Sequence, residues 1–383
     1  MDEIEKRYET LSKESLRFLG LWPTQEKSKR YKGFALVAFF MIKLTIPQFL
    51  CIIVNPDDKF IFFENTMILT FYIMVSSKHG AAMVNFSKVK ALMLSIDELK
   101  KPFTDPHELE LMKKYEGQGF LLARIYAIIM LITVLVYNMV PFVPPFLDVI
   151  YPLKSGPRPI ILPYRGEFIW FKQEDYHYYV SFVAIFDVLI FLPVFVGIES
   201  VYTTTVREIC GLFEIVCIRF QRQFSRAEGS PTSEISDAVK LYNECVRCVQ
   251  FLEGTYSITI FTTQITSLLI FSLCAIYILY VNNDVFNGLR FSTFGIAILI
   301  HMGYYFGIGQ LLINSSDKVH FSIYSSNWFL ASAKLQRLLV MASTRTLYPC
   351  FITSGKLNPL NLESFGTILK RIASTISVML AVL

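Results

Sequence analysis

Few residues of this chain combine the types and the spacing that chemistry requires. Cys245 and Cys248 have the CxxC spacing of redox and zinc sites, but no second pair completes a set of four ligands. The five histidines are scattered, and no P-loop, HExxH or GxSxG motif is present. The sequence therefore predicts no enzyme, no cofactor and no metal site. The missing P-loop also excludes an ATP-driven transporter on this chain alone.

Five ionisable residues lie within long apolar segments, where a charge is costly and is therefore a candidate for function. Arg124 and Glu199 lie toward the ends of their segments, where such side chains reach water or pair. Lys43 and Asp187 lie deeper, which favours a structural pair or a water-filled cavity over ion transport. His301, midway along its segment, is expected to be a hydrogen-bonded interior residue and not a proton relay.

The elements that carry these residues are apolar runs long enough to cross a membrane. Of the 383 residues 53% are hydrophobic, and the mean hydropathy of +0.46 is too high for one soluble core. A membrane span needs roughly 17–25 residues of helix, and seven runs reach that length. The second is interrupted by Ser76 to His79, so we expect its inner end to lie near water. The runs are Phe34 to Val54, Phe60 to about Val84, Phe120 to Phe142, Tyr178 to Tyr202, Ser257 to Val281, Phe291 to Leu312 and Phe365 to Leu383.

The basic residues predict the orientation of these spans, because positive charge is held on the cytoplasmic side. Alternate connections, beginning with the N-terminus, hold 26 of the 36 Lys and Arg residues, whereas the other connections hold six. The N-terminus is therefore predicted inside and the C-terminus outside. This orientation opposes a G-protein-coupled receptor, and it explains the net charge of +5 without a nucleic-acid partner.

The predicted cytoplasmic connections are long and amphipathic, at 203–228, 233–256 and 318–345. Their apolar faces need partners below the membrane. Packing within one chain and an intracellular hub that joins several subunits both fit this pattern. The two halves of the chain do not resemble inverted repeats, which weakens a secondary-transporter interpretation.

The C-terminal third carries dense sequence motifs. Along it lie Tyr304-Tyr305-Phe306-Gly307, Ser315-Ser316-Asp317-Lys318-Val319, Tyr324-Ser325-Ser326-Asn327-Trp328, Thr353-Ser354-Gly355-Lys356, Pro359-Leu360-Asn361-Leu362-Glu363-Ser364-Phe365 and Ile368-Leu369-Lys370; Cys210-Gly211-Leu212-Phe213 precedes them. In these motifs the chain resembles the insect odorant receptor family, and the Cys-Gly-Leu-Phe run is similar to receptors of bees, wasps and ants. One departure is that Ala373, Ser374, Thr375 and Ile376 stand where the family usually has aromatic residues.

The resemblance implies a tuning receptor subunit of a ligand-gated, poorly selective cation channel. Such a subunit binds a small volatile odorant and forms a heterotetramer with the odorant receptor co-receptor in the plasma membrane of olfactory neuron dendrites. The fold implied is an all-α membrane protein of seven helices with a cytoplasmic anchor domain. It divides into 1–33 (N-terminus), 34–202 (ligand-binding bundle), 203–256 (cytoplasmic helices), 257–312 (two spans), 313–360 (anchor) and 361–383 (pore helix). A G-protein-coupled receptor and a small-solute transporter remain the alternatives.

The resemblance also places an odorant cavity in the outer half of the bundle, between the second, third, fourth and sixth spans. Apolar burial and shape must bind a volatile with few polar atoms. Tyr72 and Tyr137 could orient a carbonyl or an alcohol through their hydroxyls. The residues expected to line the cavity are Ile68, Phe71, Tyr72, Val134, Tyr137, Asn138, Phe182, Phe186, Phe291 and Phe294.

The terminal span carries the predicted gate. Thr367, Arg371, Ser374, Val378 and Val382 recur every three or four residues, so they share one helix face. This face is polar toward its inner end and carries two valines toward its outer end. That order is expected of an aqueous conduit with an apolar constriction, and the resemblance to the co-receptor puts the hydrophobic gate at the same two valines.

Overall fold

The computed structural model of the chain describes residues 10–154, 156–222, 231–280 and 285–382. These residues form an almost wholly helical bundle with one short hairpin, in which Thr353–Ser354 (β1) pairs antiparallel with Asn358–Pro359 (β2). The α-helices are α1 (Thr10–Phe18), α2 (Lys27–Val54), α3 (Lys59–Val84), α4 (Phe86–Lys100), α5 (Pro106–Met139), α6 (Val143–Ile150), α7 (His177–Arg222), α8 (Pro231–Tyr280), α9 (Val285–Tyr324), α10 (Ala333–Thr346) and α11 (Leu362–Val382). Single turns of 3-10 helix lie at Val140–Phe142, Gln173–Tyr176 and Trp328–Leu330.

Six helical stretches in the described ranges are long and apolar enough to cross a membrane. They coincide with the first six predicted spans and confirm an all-α membrane protein. The seventh predicted span falls on α11, a helix of 21 residues. The number of crossings and their orientation stay predictions. The six stretches are Lys27–Val54, Lys59–Val84, Pro106–Ile150, Gln173–Arg222, Ile235–Leu279 and Val285–Tyr324.

The fourth, fifth and sixth spans continue without a break into the predicted cytoplasmic region. The helices α7, α8 and α9 are 46, 50 and 40 residues long. The stretch at 203–228, expected to continue the fourth span, does so as far as Arg222, where the described residues end, and the stretch expected at 233–256 is continuous with the fifth span. The helical stretch expected at 318–345 is instead divided, because α9 ends at Tyr324 and α10 begins at Ala333. Serine and asparagine at 325–327 explain the break, since their side chains compete for backbone hydrogen bonds.

Helix α7 lies at the centre of the bundle and is buried almost continuously from Val194 to Cys217. The buried stretch is mostly apolar, and its buried charged residues are Glu199, Arg207 and Glu208. Gly211 lets α5 approach closely, because a Cβ built there would lie 3.0 Å from Sδ of Met112 and 3.1 Å from Cβ of Tyr115. Packing between α5 and α7 thus explains the glycine of the Cys-Gly-Leu-Phe motif.

Ion pairs fasten the start of α5 to the end of α7. Arg219 binds both carboxylate oxygens of Glu108, at 2.8 and 2.7 Å, and Arg222 pairs with Asp105. Asp105 also accepts the N–H of His107 at 2.9 Å and so caps α5. The pKa of the Asp105 carboxyl is lowered, most by the hydrogen bond from the His107 N–H and next by that from Arg222.

Candidate ligand-binding site

An apolar cavity of about 120 Å³ lies among α2, α3, α5, α7, α9 and the segment that follows α6. Its volume is roughly ten times the 10–15 Å³ that one water molecule needs on the same measure, so it has room for a small organic molecule. Seven of the ten residues expected from the sequence line it: Ile68, Phe71, Tyr72, Val134, Tyr137, Asn138 and Phe294. The other lining residues are Leu44, Met74, Met130, Thr133, Pro163, Tyr164, Ala184, Asp187, Val188, Phe191, Leu192, Phe195, Ala297, Ile298 and His301.

Three expected residues lie elsewhere, and their predicted placement on the cavity wall is wrong. Phe182 and Phe186 point away from the bundle and are 64% and 63% exposed. Phe291 is fully buried beside the cavity, where its ring centroid lies 4.3 Å from that of Tyr277 and 4.5 Å from the guanidinium of Arg290.

The rotation of α7 about its axis explains two of these errors. The cavity-lining residues Ala184, Asp187, Phe191 and others recur every three or four positions, which is one face of a helix. Phe182 and Phe186 are each two positions from Ala184, about 200° around the helix. A charged residue in a span almost always faces the protein interior, so Asp187 marks the inward face in the sequence.

Aromatic rings form much of the cavity wall. Phe71 stacks on Phe195 with ring centroids 5.6 Å apart and meets Phe294 edge-on at the same distance. Tyr137 lies 5.7 Å from Phe294 across the same corner. This wall offers a ligand broad apolar surfaces, which favour binding by shape and burial.

Several polar side chains interrupt the apolar wall. The Tyr72 hydroxyl accepts a hydrogen bond from Nε2 of Gln48 at 3.1 Å and keeps its own proton for a second bond. Asn138 donates to the carbonyl of Val134, which belongs to the same helix, at 2.8 Å. Two more are Asp187, paired with Lys43, and His301, whose Nδ1 lies 2.7 Å from the hydroxyl of buried Tyr126. Lys43 and Asp187 therefore form the structural pair that the sequence left as one of two possibilities.

Residues after α6 cover the cavity at its predicted outer end. Pro163 and Tyr164 line the cavity at this end. Burial of the Tyr164 phenol raises its pKa. Gln173 holds this segment by donating to the Tyr164 carbonyl at 2.7 Å and accepting from the Gly166 N–H at 2.8 Å. No pattern in the sequence identified this cover, because its fold depends on contacts between distant residues.

A group of ion-paired side chains also holds the segment that covers the cavity. Arg290 donates to the carbonyl of Leu162 and binds Oε1 of Glu64 at 2.5 Å, and both charged side chains are about 1% exposed. Arg165 lies 3.3 Å from the other oxygen of Glu64. The covering segment is thus held to both α3 and α9.

A buried ionic triad lies immediately below the cavity. Lys78 pairs with Glu199 and donates to the Tyr305 hydroxyl at 2.8 Å, while that hydroxyl donates to Glu199. The ammonium group of Lys78 also lies 5.3 Å from the ring centroid of Phe195, a cavity residue. Lys78 and Glu199 have no exposed side-chain surface, so the expectation that the inner end of this span lies near water is wrong at Lys78.

Helix α11 packs on its own chain along one side only. Ile372 is 2% exposed, and Phe365 meets Phe306 of α9 with ring centroids 5.3 Å apart. The residues of the predicted pore face, Thr367, Arg371, Ser374 and Val378, are all exposed. Measured from Ile372, they lie about 100–160° around the helix. The side chain of Val382 lies outside the described residues.

Comparison with known sequences identifies a family and one relative that match parts of the chain. The sequence profile described as 7tm odorant receptor matches residues 61–372, which is most of the chain. Odorant receptor 33a of Drosophila melanogaster is 24% identical over 136 residues, a match that spans 35% of this chain and 35% of that relative.

Solved structures show the same fold. The insect olfactory receptor OR5 of Machilis hrabei in complex with eugenol aligns with a TM-score of 0.80 at 13% identity, over 100% of this chain and 98% of that one. The structure of OR5 described without eugenol aligns with a TM-score of 0.77 at 14% identity, over 100% and 99% of the two chains.

Proposed function

Because the chain belongs to the 7tm odorant receptor family, we propose that it is the odorant-binding subunit of a ligand-gated, poorly selective cation channel. The subunit binds a small volatile molecule in the apolar cavity and opens a pore that it shares with the odorant receptor co-receptor in a heterotetramer. Its place is the plasma membrane, in the dendrites of olfactory sensory neurons, with seven crossings and the N-terminus inside.

The cavity is the observation that carries this proposal. An odorant of about ten heavy atoms, each contributing somewhat less than 1 kcal/mol, reaches micromolar affinity, which corresponds to about 8 kcal/mol. Apolar burial against Phe71, Phe195 and Phe294 can supply most of that free energy. Tyr72 can add one directional hydrogen bond. The eugenol named with the Machilis receptor is a ligand of the same size class.

The exposed face of α11 supports the channel part of the proposal. A helix packed along one side leaves its other side for neighbouring subunits or for water. Arg371 and Ser374 would then border the aqueous path, and Val378 would lie in the apolar constriction. Odorant binding needs to favour the open state by only a few kcal/mol to shift such an equilibrium.

Expression with and without the co-receptor tests the function directly. We expect little or no odorant-evoked current from the chain alone and a clear current when both subunits are present, measured by whole-cell recording over a panel of volatiles. A robust current from this chain alone would contradict the tuning-subunit assignment. An absence of current with the co-receptor, despite surface expression of both chains, would contradict the channel itself.

Substitution of Tyr72 by alanine tests the cavity. We expect the odorant concentration for half-maximal current to rise about tenfold, which corresponds to about 1.4 kcal/mol for one lost aromatic contact and hydrogen bond. Phe186→Ala is the matched control, because Phe186 is also an aromatic residue of the same region but faces outward. Equal shifts in both variants, at equal surface expression, would place the ligand elsewhere.

A further inference from the structure

The cavity wall contains one acidic side chain among its described residues, Asp187. This side chain is 1% exposed, and both of its oxygens face the ammonium group of Lys43, at 2.9 and 3.1 Å. Lys43 is 38% exposed. The pair therefore joins a carboxylate on the cavity wall to a cation that reaches the surface of the bundle between α2 and α7.

The two partners differ in their freedom to leave this arrangement. A carboxylate enclosed by apolar groups is costly unless a cation compensates it, and the Asp187 side chain has almost no exposed surface through which water could do so. Lys43 has a long flexible stem, and an exposed lysine can extend its ammonium group toward a polar phase. Lysine is thus the exchangeable partner, and the carboxylate is fixed.

The neighbours of the pair put the carboxylate within reach of a bound ligand. Ala184, Val188 and Phe191 surround Asp187 along α7 and all line the cavity, and Leu44 lines it next to Lys43. A ligand in the cavity therefore lies against the same wall as Asp187. If Lys43 were absent, an ammonium group on the ligand could approach the carboxylate from the cavity side, among aromatic faces that also attract cations.

We propose that Lys43 and Asp187 form a specificity-determining pair, in which the Lys43 ammonium group takes the place that the charged group of an amine ligand would otherwise occupy. The pair neutralises the carboxylate and restricts the cavity to uncharged ligands. Replacement of Lys43 by a neutral residue opens the cavity to protonated primary amines of odorant size. This role rests on the proposed function of the cavity as the odorant site.

Ligand binding to the purified full-length chain tests the pair without any need for channel opening. The probes are two alcohols and their matched primary amines, benzyl alcohol with benzylamine and hexan-1-ol with hexylamine, at neutral pH, and the readout is the ligand-dependent rise in melting temperature. We expect no stabilisation of the wild-type chain by the amines. In Lys43→Met and Lys43→Gln the apparent affinity for at least one amine should rise tenfold or more.

Two further variants isolate the charge of Asp187. Lys43→Arg keeps the cation and should bind amines no better than the wild type. Lys43→Met combined with Asp187→Asn removes the unpaired carboxylate and should abolish the gain. The Lys43→Gln variant guards against a folding failure of Lys43→Met, because its amide can still donate a hydrogen bond to Asp187.

Folded Lys43→Gln protein that binds neither amine more tightly than the wild type does would overturn the proposal. An equal gain in the double variant would overturn it as well, since the carboxylate would then play no part. Both results leave the proposed function standing if the wild-type chain with the co-receptor still gives odorant-evoked current. Loss of that current in the wild type would instead contradict the proposed function.

Discussion

Replacement of Lys78 by methionine is expected to remove most folded receptor from the cell surface. The substitution leaves Glu199 as a buried carboxylate without its cation, and such a loss destabilises proteins by about 3–5 kcal/mol. That amount is a large part of the total stability of a typical domain. Surface labelling of a tagged chain, together with the melting temperature of the purified protein, measures the effect.

A second substitution tests whether the loss of surface expression comes from the missing charge of Lys78 or from the changed shape of its side chain. Lys78→Met combined with Glu199→Gln removes both charges, and the amide oxygen introduced by the second substitution would still accept the Tyr305 hydroxyl, so we expect much of the surface expression to return. Lys101→Met is the control for loss of a basic residue, because the ion pair of Lys101 with Glu98 is solvent-exposed and contributes about 0–1 kcal/mol. A double variant as unstable as Lys78→Met would contradict the ionic explanation.

Serine at both Val378 and Val382 is expected to give a standing current without odorant. Two hydroxymethyl groups in place of two isopropyl groups would allow water into the proposed constriction, and a wetted constriction conducts ions. The measurement is basal whole-cell current, with the co-receptor present, at matched surface expression. The cation-channel blockers that abolish the odorant response should also abolish the increase in basal current over the wild type.

Serine at Met379 and Leu383 is the matched control, because these positions lie off the predicted pore face. The side chains of Val382, Met379 and Leu383 lie outside the described part of the chain, so the sequence alone assigns their faces. Normal odorant responses with no basal leak in the double valine variant would remove the valines from the gate. A leak of equal size from the control pair would show a general loss of helix packing instead.

The lengths of the apolar runs are enough to predict the spans. The lining of the cavity is harder to predict, because it depends on how each helix is rotated about its axis and on how the loops pack. Tyr72, Tyr137 and Phe294 could be assigned because the family resemblance indicates the spans and membrane depth indicates their outer halves. Phe182 and Phe186 satisfy the same depth but face outward. Asp187 carried the missing information about rotation, since a charge within a span indicates the inward face.

Other features depend on contacts that no local pattern encodes. Tyr164 reaches the cavity because Gln173 and Arg290 hold its segment in place. Neither contact is indicated by a repeating pattern of residues in the sequence. Lys78 is one of the 26 basic residues that the charge pattern assigns to the cytoplasmic side, although Glu199 and Tyr305 hold it inside the bundle. Charge counting treats every lysine alike, and only the partner distinguishes a buried one.

Because α7 is one continuous helix, a small bend within it moves its far end by a much larger distance. The helix of 46 residues is about 69 Å long, and its cavity-lining part contains Pro193, which has no N–H to bond the carbonyl four residues earlier. The arm from this proline to Arg222 measures about 44 Å, so a rotation of about 3° at the proline displaces the far end by about 2 Å. Because Arg219 and Arg222 tie this end to the start of α5, a bend at Pro193 would move both helix ends together.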